Sequence, residues 1–583
     1  MRKIFITSII LLFTISVGII IFLASVGIKT NKFNNLINEK VNDINSKIKL
    51  NLNDVSFKLN TSKFAFEVVT IDPVISINEK KIDLDTINFD LNIFDYINNQ
   101  NPISQISIVT KENDIDKLIN FINEYEFNIA RNIILKQIKR GKIKISSDIT
   151  FDQNKPNQIK YNINGSVNDA EIHLFSKFKA NNIKFNFQIN ENKINLKKVG
   201  LVFDKIFLTS DEININKKNS LFEINGNIKT KKTKINLKNY SYILTKNFDI
   251  FGEQPITLSS NNKISFKINN KLRIKNLNIK SKLNFDKLFT KSKYQDFIYL
   301  TNGEALINYN KKELKINLES KYLFKNDLYN NYNSKNLFKL FLKKKENYNA
   351  IVNVDLSNTK NKINSKEFEK FITIENFSLP NQDISFASIN KIKFELNKNY
   401  KIENIDVKSK INTENIIINY KSQRINKYFS NFKNQAKLSQ SEFEIDYTNN
   451  NFRIGLKSKY SINDINENIN LSIGKKDNNY SFDLDLGLDG ATVKIDELEY
   501  VKKRDIKSNL LLKGVYKNNK EIIFNNLKLN EKNKYFLIEN LEIDKNDKIK
   551  NLDLLKIDLI NKILKKNKLE FKKVNNNYYL TGS

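Results

Sequence analysis

The 583-residue chain contains no cysteine and no tryptophan, and it has one histidine and one methionine. Without cysteine, no disulfide bond can stabilise the fold and no thiolate is available for catalysis, while the redox state of the compartment stays open. A single histidine and a single methionine leave few of the common metal ligands. Glycine and proline number only 14 and 5, which argues against an organisation rich in tight turns or flexible linkers.

Short motifs of catalytic and nucleotide-binding sites are also missing. The sequence has no G-x-x-x-x-G-K phosphate loop, no H-E-x-x-H and no G-x-S-x-G. Acidic residues are interleaved with lysine, so no pair stands out for general acid–base chemistry. His173 lies in an alternating segment and is interpreted as a strand residue on a solvent-exposed face. We therefore predict that the protein is not an enzyme and has no catalytic, cofactor or metal site.

The chain is strongly basic, with a formal net charge of +33. Such a charge is typical of nucleic-acid binding, but here lysine is spread along the whole chain together with asparagine and isoleucine. There is no arginine-rich arm and no aromatic–basic motif for base stacking. We therefore expect no nucleic acid, and a weak attraction to anionic lipid headgroups instead.

An apolar run from Ile4 to Ile28 contains no charged residue. As a helix its 25 residues would extend about 37 Å, enough to cross a hydrocarbon core of ~30 Å. A cleaved signal peptide is the alternative, but the run is long and its cleavage site poor, so we favour an uncleaved anchor. Lysines on both sides of the run do not decide its orientation. We expect a single-pass membrane protein with its bulk outside the cytoplasm, at the cell-envelope exterior or in the periplasm.

The remainder of the chain is patterned mainly for strands. An amphipathic helix is predicted from Phe33 to Ile48, either close to the membrane or packed on the first strands, and another from Ile115 onward with Gly141 as its C-cap. Segments 286–299 and 337–345 also look helical. Elsewhere apolar residues alternate at period 2 between Asn/Lys-rich turns. The expected fold is mainly β: an elongated antiparallel meander, with a few peripheral helices, curled into an open apolar groove.

Three alternating rows are the candidate lining of this groove. They are Phe185, Phe187 and Ile189; Ile264, Phe266 and Ile268; and Phe443, Ile445 and Tyr447. We expect these rows to face one continuous interior, while Lys184, Asn186, Lys267 and Glu444 face water. Such a lining suits lipid acyl chains, since burial of each CH₂ group is worth ~0.8 kcal/mol. Weak internal repeats accompany the rows: residues 275–282 resemble 403–410, and 314–322 resemble 452–460.

The first 125 residues resemble a known family. An N-terminal apolar helix is followed by VVTIDPVISI (68–77), IDLDTINFDLNIFDYI (82–97), ISQISI (103–108) and a helical segment at 114–125. This arrangement is similar to the N-terminal module of AsmA-like envelope proteins, with the large YhdP-like proteins as the nearest branch. Beyond residue 125 the resemblance rests on the β-meander alone, which many β proteins share.

The resemblance implies a groove-shaped periplasmic protein of the bridge-like lipid-transfer kind, anchored in the inner membrane and supplying phospholipid to the outer membrane. Its expected partners are membrane lipids through their acyl chains, the inner membrane, and a periplasmic or outer-membrane protein at the far end. The expected organisation is an anchor at 1–30, an AsmA-like module at 31–140 and a repetitive β-groove at 141–583. Because the chain ends at or near a strand, we expect a short member, a truncated product or half of a split bridge. The alternative is an anchored scaffold that transports nothing and acts on envelope assembly through protein partners.

Overall fold

The computed structural model describes the following parts of the chain: residues 2–44, 46–98, 102–125, 135–152, 155–174, 178–218, 221–236, 255–269, 273–289, 298–324, 330–331, 333–366, 377–399, 401–420, 427–429, 435–462, 465–518, 520–546, 548–560, 566–575 and 577–582. Two compact units are present. The first comprises Met1–Ile235, Thr257–Leu283 and Asn308–Lys311, and the second Asn236–Ile256, Asn284–Ile307 and Lys312–Ser583.

The first unit contains all four α-helices that the structure describes. Its elements, wholly or in the main, are α1 Arg2–Ser25, β1 Ile28–Thr30, α2 Asn34–Ile44, β2 Ile48–Asn51, β3 Asp54–Asn60, β4 Ala65–Ile71, β5 Val74–Ile77, β6 Lys80–Asn92, α3 Ile93–Ile97, β7 Ile103–Thr110, β8 Asn113–Asp114, α4 Ile115–Tyr125, β9 Ile138–Asp152, β10 Lys155–Leu174, β11 Phe178–Ile189, β12 Lys193–Phe203, β13 Ile206–Lys218, β14 Leu221–Ile235, β15 Ile256–Asn269 and β16 Ile274–Leu288.

The second unit consists almost entirely of strands. They are β17 Ile298–Tyr309, β18 Glu313–Phe324, β19 Leu337–Lys345, β20 Ala350–Asn364, β21 Phe377–Ser378, β22 Asp383–Leu396, β23 Ile402–Tyr420, β24 Gln435–Thr448, β25 Asn451–Ile462, β26 Ile465–Lys476, β27 Asn479–Gly487, β28 Val493–Ile495, β29 Tyr500–Lys502, β30 Ser508–Tyr516, β31 Ile522–Glu531, β32 Lys534–Ile543, β33 Ile549–Asn551, β34 Leu554–Ile560, β35 Lys566–Val574 and β36 Asn577–Gly582. A 3₁₀ turn, Asp496–Leu498, lies between β28 and β29.

The predicted fold class is confirmed. The protein is mainly β, and within each unit successive strands pair in antiparallel fashion without closing into a barrel. Hairpin turns follow the predicted chemistry: Asn449 and Asn450, between β24 and β25, both have positive φ, as a two-residue turn of type I′ requires. The domain boundary predicted at residue 140 falls inside β9, which pairs with β7 through Gln105 and Thr150.

The N-terminal helix is long and apolar enough to span a membrane over Lys3–Ser25. Its predicted end at Ile28 is wrong by three residues. Gly27 adopts a φ of +74° and lies against the carbonyl of Phe57, a close approach that a Cβ atom would obstruct. The helix therefore ends at Ser25, and Ile28 begins β1, where it pairs with Phe57 of β3.

Helices α2 and α4 cover the first unit. Ile37 and Val41 of α2 pack against the cluster formed by Leu50, Leu52, Val55 and Val68, so this helix packs on the first strands. α4 packs through Ile115 and Ile119 against β10 and β11. The expectation that Gly141 caps α4 is wrong. Gly141 lies within β9 at φ +150°, where the absence of Cβ lets the Ile115 side chain approach.

The helix predicted over 337–345 is also wrong, and the helix predicted over 286–299 is wrong at both of its ends. Residues 337–345 form strand β19, which pairs along its length with β18 and β20. The apolar run misled the prediction because Phe338 and Phe341 lie on opposite faces of the same strand, so both faces carry apolar groups. In the segment 286–299, β16 continues to Leu288 and β17 begins at Ile298; residues 290–297 lie outside the described residues.

One suggested repeat, residues 275–282 and 403–410, has a matching local structure at its two sites. Asn276 in β16 and Asn404 in β23 occupy equivalent positions and both have φ near +50° within a strand, at 51° and 52°. Each unit also carries a polar triplet: Ser260, Asn262 and Ser281 in the first, and Ser388, Asn390 and Ser409 in the second. The asparagine donates to the preceding serine Oγ (2.8 and 3.0 Å) and to a carbonyl on the neighbouring strand (3.1 Å in both), and accepts from the last serine. The same network therefore occurs on three adjacent strands in each unit.

Candidate functional site

The second unit presents one apolar face, built by alternate side chains of successive strands. On β24 the predicted row Phe443, Ile445 and Tyr447 points to this face, and all three side chains are half-buried. Glu444 between them points to the opposite face and is exposed. This is the two-residue alternation expected of a strand with one apolar side.

Cross-strand registers extend Phe443 into a long apolar row, here called the deep row. Its members are Phe443, Leu456, Leu471, Leu484, Leu512, Leu527, Ile538, Leu555 and Phe571, each paired with the next. At ~4.8 Å between strands, nine strands extend roughly 40 Å. A bilayer core of ~30 Å holds two acyl chains end to end, so the deep row is longer than one chain.

Two further rows lie beside the deep row towards one end of the strands. The central row contains Ile445, Ile454, Ile473 and Phe482, and the rim row contains Tyr447, Phe452, Lys475, Tyr480 and Tyr516. Ile454 and Ile473 remain 38% and 36% exposed. Face-to-face packing of a second sheet would bury such side chains, so this end of the apolar face is open.

The rim row combines aromatic rings with one inward-facing lysine. Phe452, Tyr480 and Tyr516 form a chain of ring contacts with centroids 6.3 and 6.5 Å apart. The ammonium of Lys475 lies 5.9 Å from the Tyr480 ring centroid, a cation–π distance. Among the described residues Lys475 has no ion-pair partner. The side chains of the rim row thus place their apolar parts next to the apolar face and their polar or charged ends at the edge of that face.

The other end of the face is covered by residues 488–507, here called the cap segment, which connects β27 to β30. Leu488, Ala491, Val493 and Tyr500 of this segment are buried in one cluster with Leu529, Ile557 and Leu559 of the sheet. Leu529 and Ile557 belong to a fourth row, the capped row, with Ile469, Leu486, Leu510, Phe536 and Leu569.

Buried polar groups hold the cap segment in place. Lys502 is completely buried, and its ammonium donates to the carbonyls of Leu488, Asp489 (3.0 Å) and Ala491 (2.8 Å). Three acceptors satisfy all three N–H donors of a charged lysine. Burial nevertheless lowers the pKa of Lys502. Glu467 of β26 accepts from the Gly490 amide (2.8 Å), and its pKa is raised, chiefly by burial.

Tyrosine hydroxyls complete this arrangement at the sheet. Tyr500 donates to Glu531 of β31, and Tyr460 donates to the carbonyl of Gly487, where the cap segment begins. Burial is the main cause that raises the pKa of both tyrosines. Both hydroxyls therefore stay protonated and act as donors over the physiological range.

In the first unit the predicted row on β11 is inward-facing and well packed. Phe187 is buried, and Phe185 and Ile189 pack beside it in one cluster with Val167 and Ile183. Lys184 and Asn186 are exposed, as predicted. Ile189 continues into a row with Ile163, Ile194, Ile215 and Ile224 on the neighbouring strands.

The predicted row on β15 is half-buried at Ile264, Phe266 and Ile268. Lys267 points to the opposite face, but it is not simply surrounded by water. Its ammonium lies 2.6 Å from a carboxylate oxygen of Glu223, and this contact holds the pKa of Glu223 below its ordinary value. A substitution at Lys267 would therefore break an ion pair.

The opposite face of each unit is polar. It carries shallow depressions of about 280 Å³ around Glu444, Arg453 and Asp483, and about 400 Å³ around Asn225, Lys263 and Lys280. His173 lies 2.6 Å from Glu171, which also contacts Arg140 and Lys179 at 2.9 Å. Lys179 and His173 are the main causes that lower the pKa of Glu171 to about 2. Within the described ranges, no group of three His, Asp or Glu side chains is placed to hold a metal ion.

Sequence analysis missed three features of this site: the cap segment, the lysine of the rim row and the paired polar triplets. Only the triplets left a detectable signal, because S-x-N-K-I-x-F occurs at both 260–266 and 388–394. Comparison with known proteins adds no identification: no family model, curated protein or solved structure matches the chain.

Proposed function

We propose that this protein is a membrane-anchored carrier of phospholipids, which holds acyl chains on the apolar faces of its β-sheet and passes them from the inner membrane across the periplasm towards the outer membrane. The observation that carries the proposal is the open end of the apolar face in the second unit. Rows of isoleucine and aromatic side chains there are regular across many strands yet about one-third exposed at Ile454 and Ile473.

The energetic reason is the cost of exposing a lipid tail. Transfer of a tail of ~14 carbons from the bilayer to water costs on the order of 11 kcal/mol, at ~0.8 kcal/mol per CH₂ group. An apolar face that replaces the bilayer interior removes most of this cost. A bound lipid also covers the exposed apolar side chains of the rows. This burial favours lipid binding.

The rim row would mark the boundary between tails and headgroup. Tyrosine and lysine are the side chains that place an apolar stem in a lipid-like environment and a polar tip in water. We place acyl chains on the deep and central rows and the phosphate near Lys475, Tyr480 and Tyr516. An inward-facing lysine without a carboxylate partner among the described residues suits an anionic phosphate.

Photo-crosslinking tests the proposal directly. Benzoylphenylalanine is introduced at Ile445 in one variant and at Glu444 in another, in the full chain embedded in native membranes. The two positions are adjacent in β24 and face opposite sides of the sheet. We expect a lipid adduct at Ile445, identified by mass spectrometry, and none at Glu444.

Absence of a lipid adduct at Ile445, or equal capture at both positions, would contradict the proposal. Capture of protein instead of lipid at Ile445 would favour the anchored scaffold. The same protein, extracted under mild conditions and measured by native mass spectrometry, should carry phospholipid.

A further inference from the structure

An exposed apolar patch lies in the first unit, where α1 joins the sheet. Phe64, in the turn between β3 and β4, is 59% exposed, and Phe94, Tyr96 and Ile97 of α3 are 56%, 67% and 68% exposed. We call these four residues the interfacial patch. Soluble surfaces rarely place four large apolar side chains together, and such a group marks an interaction site.

The patch is an ordered structure. The amide of Ile93 donates to the carbonyl of Phe64 (3.2 Å), which ties the first residue of α3 to the β3–β4 turn. The rings of Phe64 and Phe94 contact each other at 5.6 Å between centroids. Asn92 caps α3 by accepting from the amides of Phe94 and Asp95. The apolar side chains are therefore held outward by a defined local fold.

The position of α1 identifies the surface that this patch faces. β1 pairs antiparallel to β3, with Ile28 opposite Phe57 and Thr30 opposite Val55. The chain preceding Ile28 therefore runs towards Lys58 and the end of β3, and α1, which contacts β3, leaves the sheet beside the β3–β4 turn. The interfacial patch lies at this same end, because Ala65, next to Phe64, pairs with Asn92, just before α3.

We propose that Phe64, Phe94, Tyr96 and Ile97 insert into the headgroup region of the bilayer that α1 is long and apolar enough to cross. Aromatic side chains prefer this depth, where the ring is in a lipid environment and a tyrosine hydroxyl reaches water. Two exposed lysines, Lys29 and Lys58, lie close to the patch in sequence and register, and they complement anionic headgroups, while the nearby Lys63 pairs with Asp90 at 2.7 Å. The inference depends on α1 and not on lipid transfer.

The consequence is a fixed attachment rather than a flexible tether. A single helix joined to a soluble body allows the body to tilt freely. A second contact at the patch would orient the first strands at the membrane surface.

The absence of tryptophan from the chain provides a clean experiment, because any introduced tryptophan is the only one. Tyr96→Trp is made in the full chain and reconstituted into vesicles of phosphatidylglycerol and phosphatidylcholine, with and without lipids brominated near the headgroup end of the tails. Tyr125→Trp is the control. Tyr125 is comparably exposed at 58%, and its neighbour Glu124 contacts Asn78 beyond the far end of β6. The 13 residues of β6 separate the two positions by roughly 40 Å.

We expect brominated lipid to reduce Tyr96→Trp emission at least twofold and to leave Tyr125→Trp emission unchanged. Equal quenching of the two variants, or none at Tyr96→Trp, would overturn the inference. Emission from Tyr96→Trp that is blue-shifted yet unquenched would show that protein covers the patch, which also overturns it. Phe94→Trp repeats the measurement, so a folding defect in one variant does not decide the result.

Discussion

The two ends of the apolar face in the second unit are built from the same kinds of residue, yet they differ in exposure. At the capped end Leu529 and Ile557 are 4% and 5% exposed, whereas Ile454 and Ile473 at the open end are 38% and 36% exposed. Leu529 and Ile557 pack in one cluster with the cap segment, and Ile454 and Ile473 do not belong to that cluster. The comparison shows that this protein covers one end of its apolar face with its own chain and leaves the other end available.

This difference also separates stability from function. The capped end has the features of a folded core: complete burial, satisfied polar groups and a single closely packed cluster. The open end gains less from burial and retains apolar surface that a ligand would cover. We infer that the capped end stabilises the second unit and that the open end is where lipid is held.

The largest effect is expected from removing the ammonium that holds the cap segment. Lys502→Met keeps an unbranched side chain of similar length but leaves the carbonyls of Leu488, Asp489 and Ala491 without their donor. Unsatisfied buried carbonyls should reduce the free energy of unfolding by on the order of 3 kcal/mol. Denaturant titration measures the loss, and hydrogen exchange should show faster exchange in residues 488–507.

Lys494→Met is the matched control, because Lys494 lies in the same segment but is half-buried, and its ion-pair partner among the described residues is Asp496. Its cost should stay below about 0.5 kcal/mol. Equal losses in the two variants would show that Lys502 has no special role in holding the cap segment.

A direct test of the comparison uses the same substitution at both ends. Ile557→Ala in the capped row should lower the free energy of unfolding by about 3 kcal/mol, since it opens a cavity in a closed cluster. Ile473→Ala in the central row should cost less than about 1 kcal/mol, because solvent already reaches that side chain. Both values come from denaturant midpoints of lipid-depleted protein. Similar losses would mean that the open end is covered as well.

A smaller effect concerns pH. The pKa of Glu467 is raised above its ordinary value of 4.5, mainly by burial next to the cap segment. A carboxyl group of this kind stabilises the fold fully when protonated, below pH 4.5, and the contribution is lost as pH rises through the raised pKa. Glu467→Gln keeps an oxygen for the Gly490 amide but cannot ionise. Its melting temperature should exceed that of the wild type increasingly above pH 4.5, and a constant difference across pH would contradict the assignment.

The sequence alone predicted the alternation of apolar and polar residues along the strands, but it did not predict the cap segment. Period 2 predicted the alternation at Phe187 and Ile445, whose neighbours Asn186 and Glu444 are exposed, because alternation is a local property. Leu484 and Leu486 look alike in sequence, yet only Leu486 packs against the buried cluster beneath the cap segment. Which of them is covered depends on contacts between distant parts of the chain. The cap segment itself has strands of only three residues and no periodicity to detect.

The helix errors have the same physical origin. In β19 both faces carry apolar residues, so neither period dominates and the helical interpretation was wrong. Gly141 looked like a helix cap because it followed an apolar helical pattern, but its function is to let Ile115 approach the sheet. A sequence pattern reveals periodicity, whereas the close approach of a side chain to a neighbouring strand depends on tertiary structure.

The smallest effect on stability, and the sharpest on selectivity, is expected at the rim row. Lys475→Met removes the inward-facing charge while keeping an apolar stem, so the free energy of unfolding should change by less than about 0.5 kcal/mol. Lys476→Met is the control, because Lys476 is adjacent, exposed and on the opposite face of β26.

The protein is loaded from vesicles with equal amounts of phosphatidylglycerol and phosphatidylcholine, and bound lipid is measured by native mass spectrometry. A lysine near a headgroup is worth ~1 kcal/mol towards an anionic lipid, so Lys475→Met should lower the preference for phosphatidylglycerol about fivefold. An unchanged preference, or an equal shift in Lys476→Met, would remove Lys475 from the headgroup site and attribute the selectivity to the net charge of the chain.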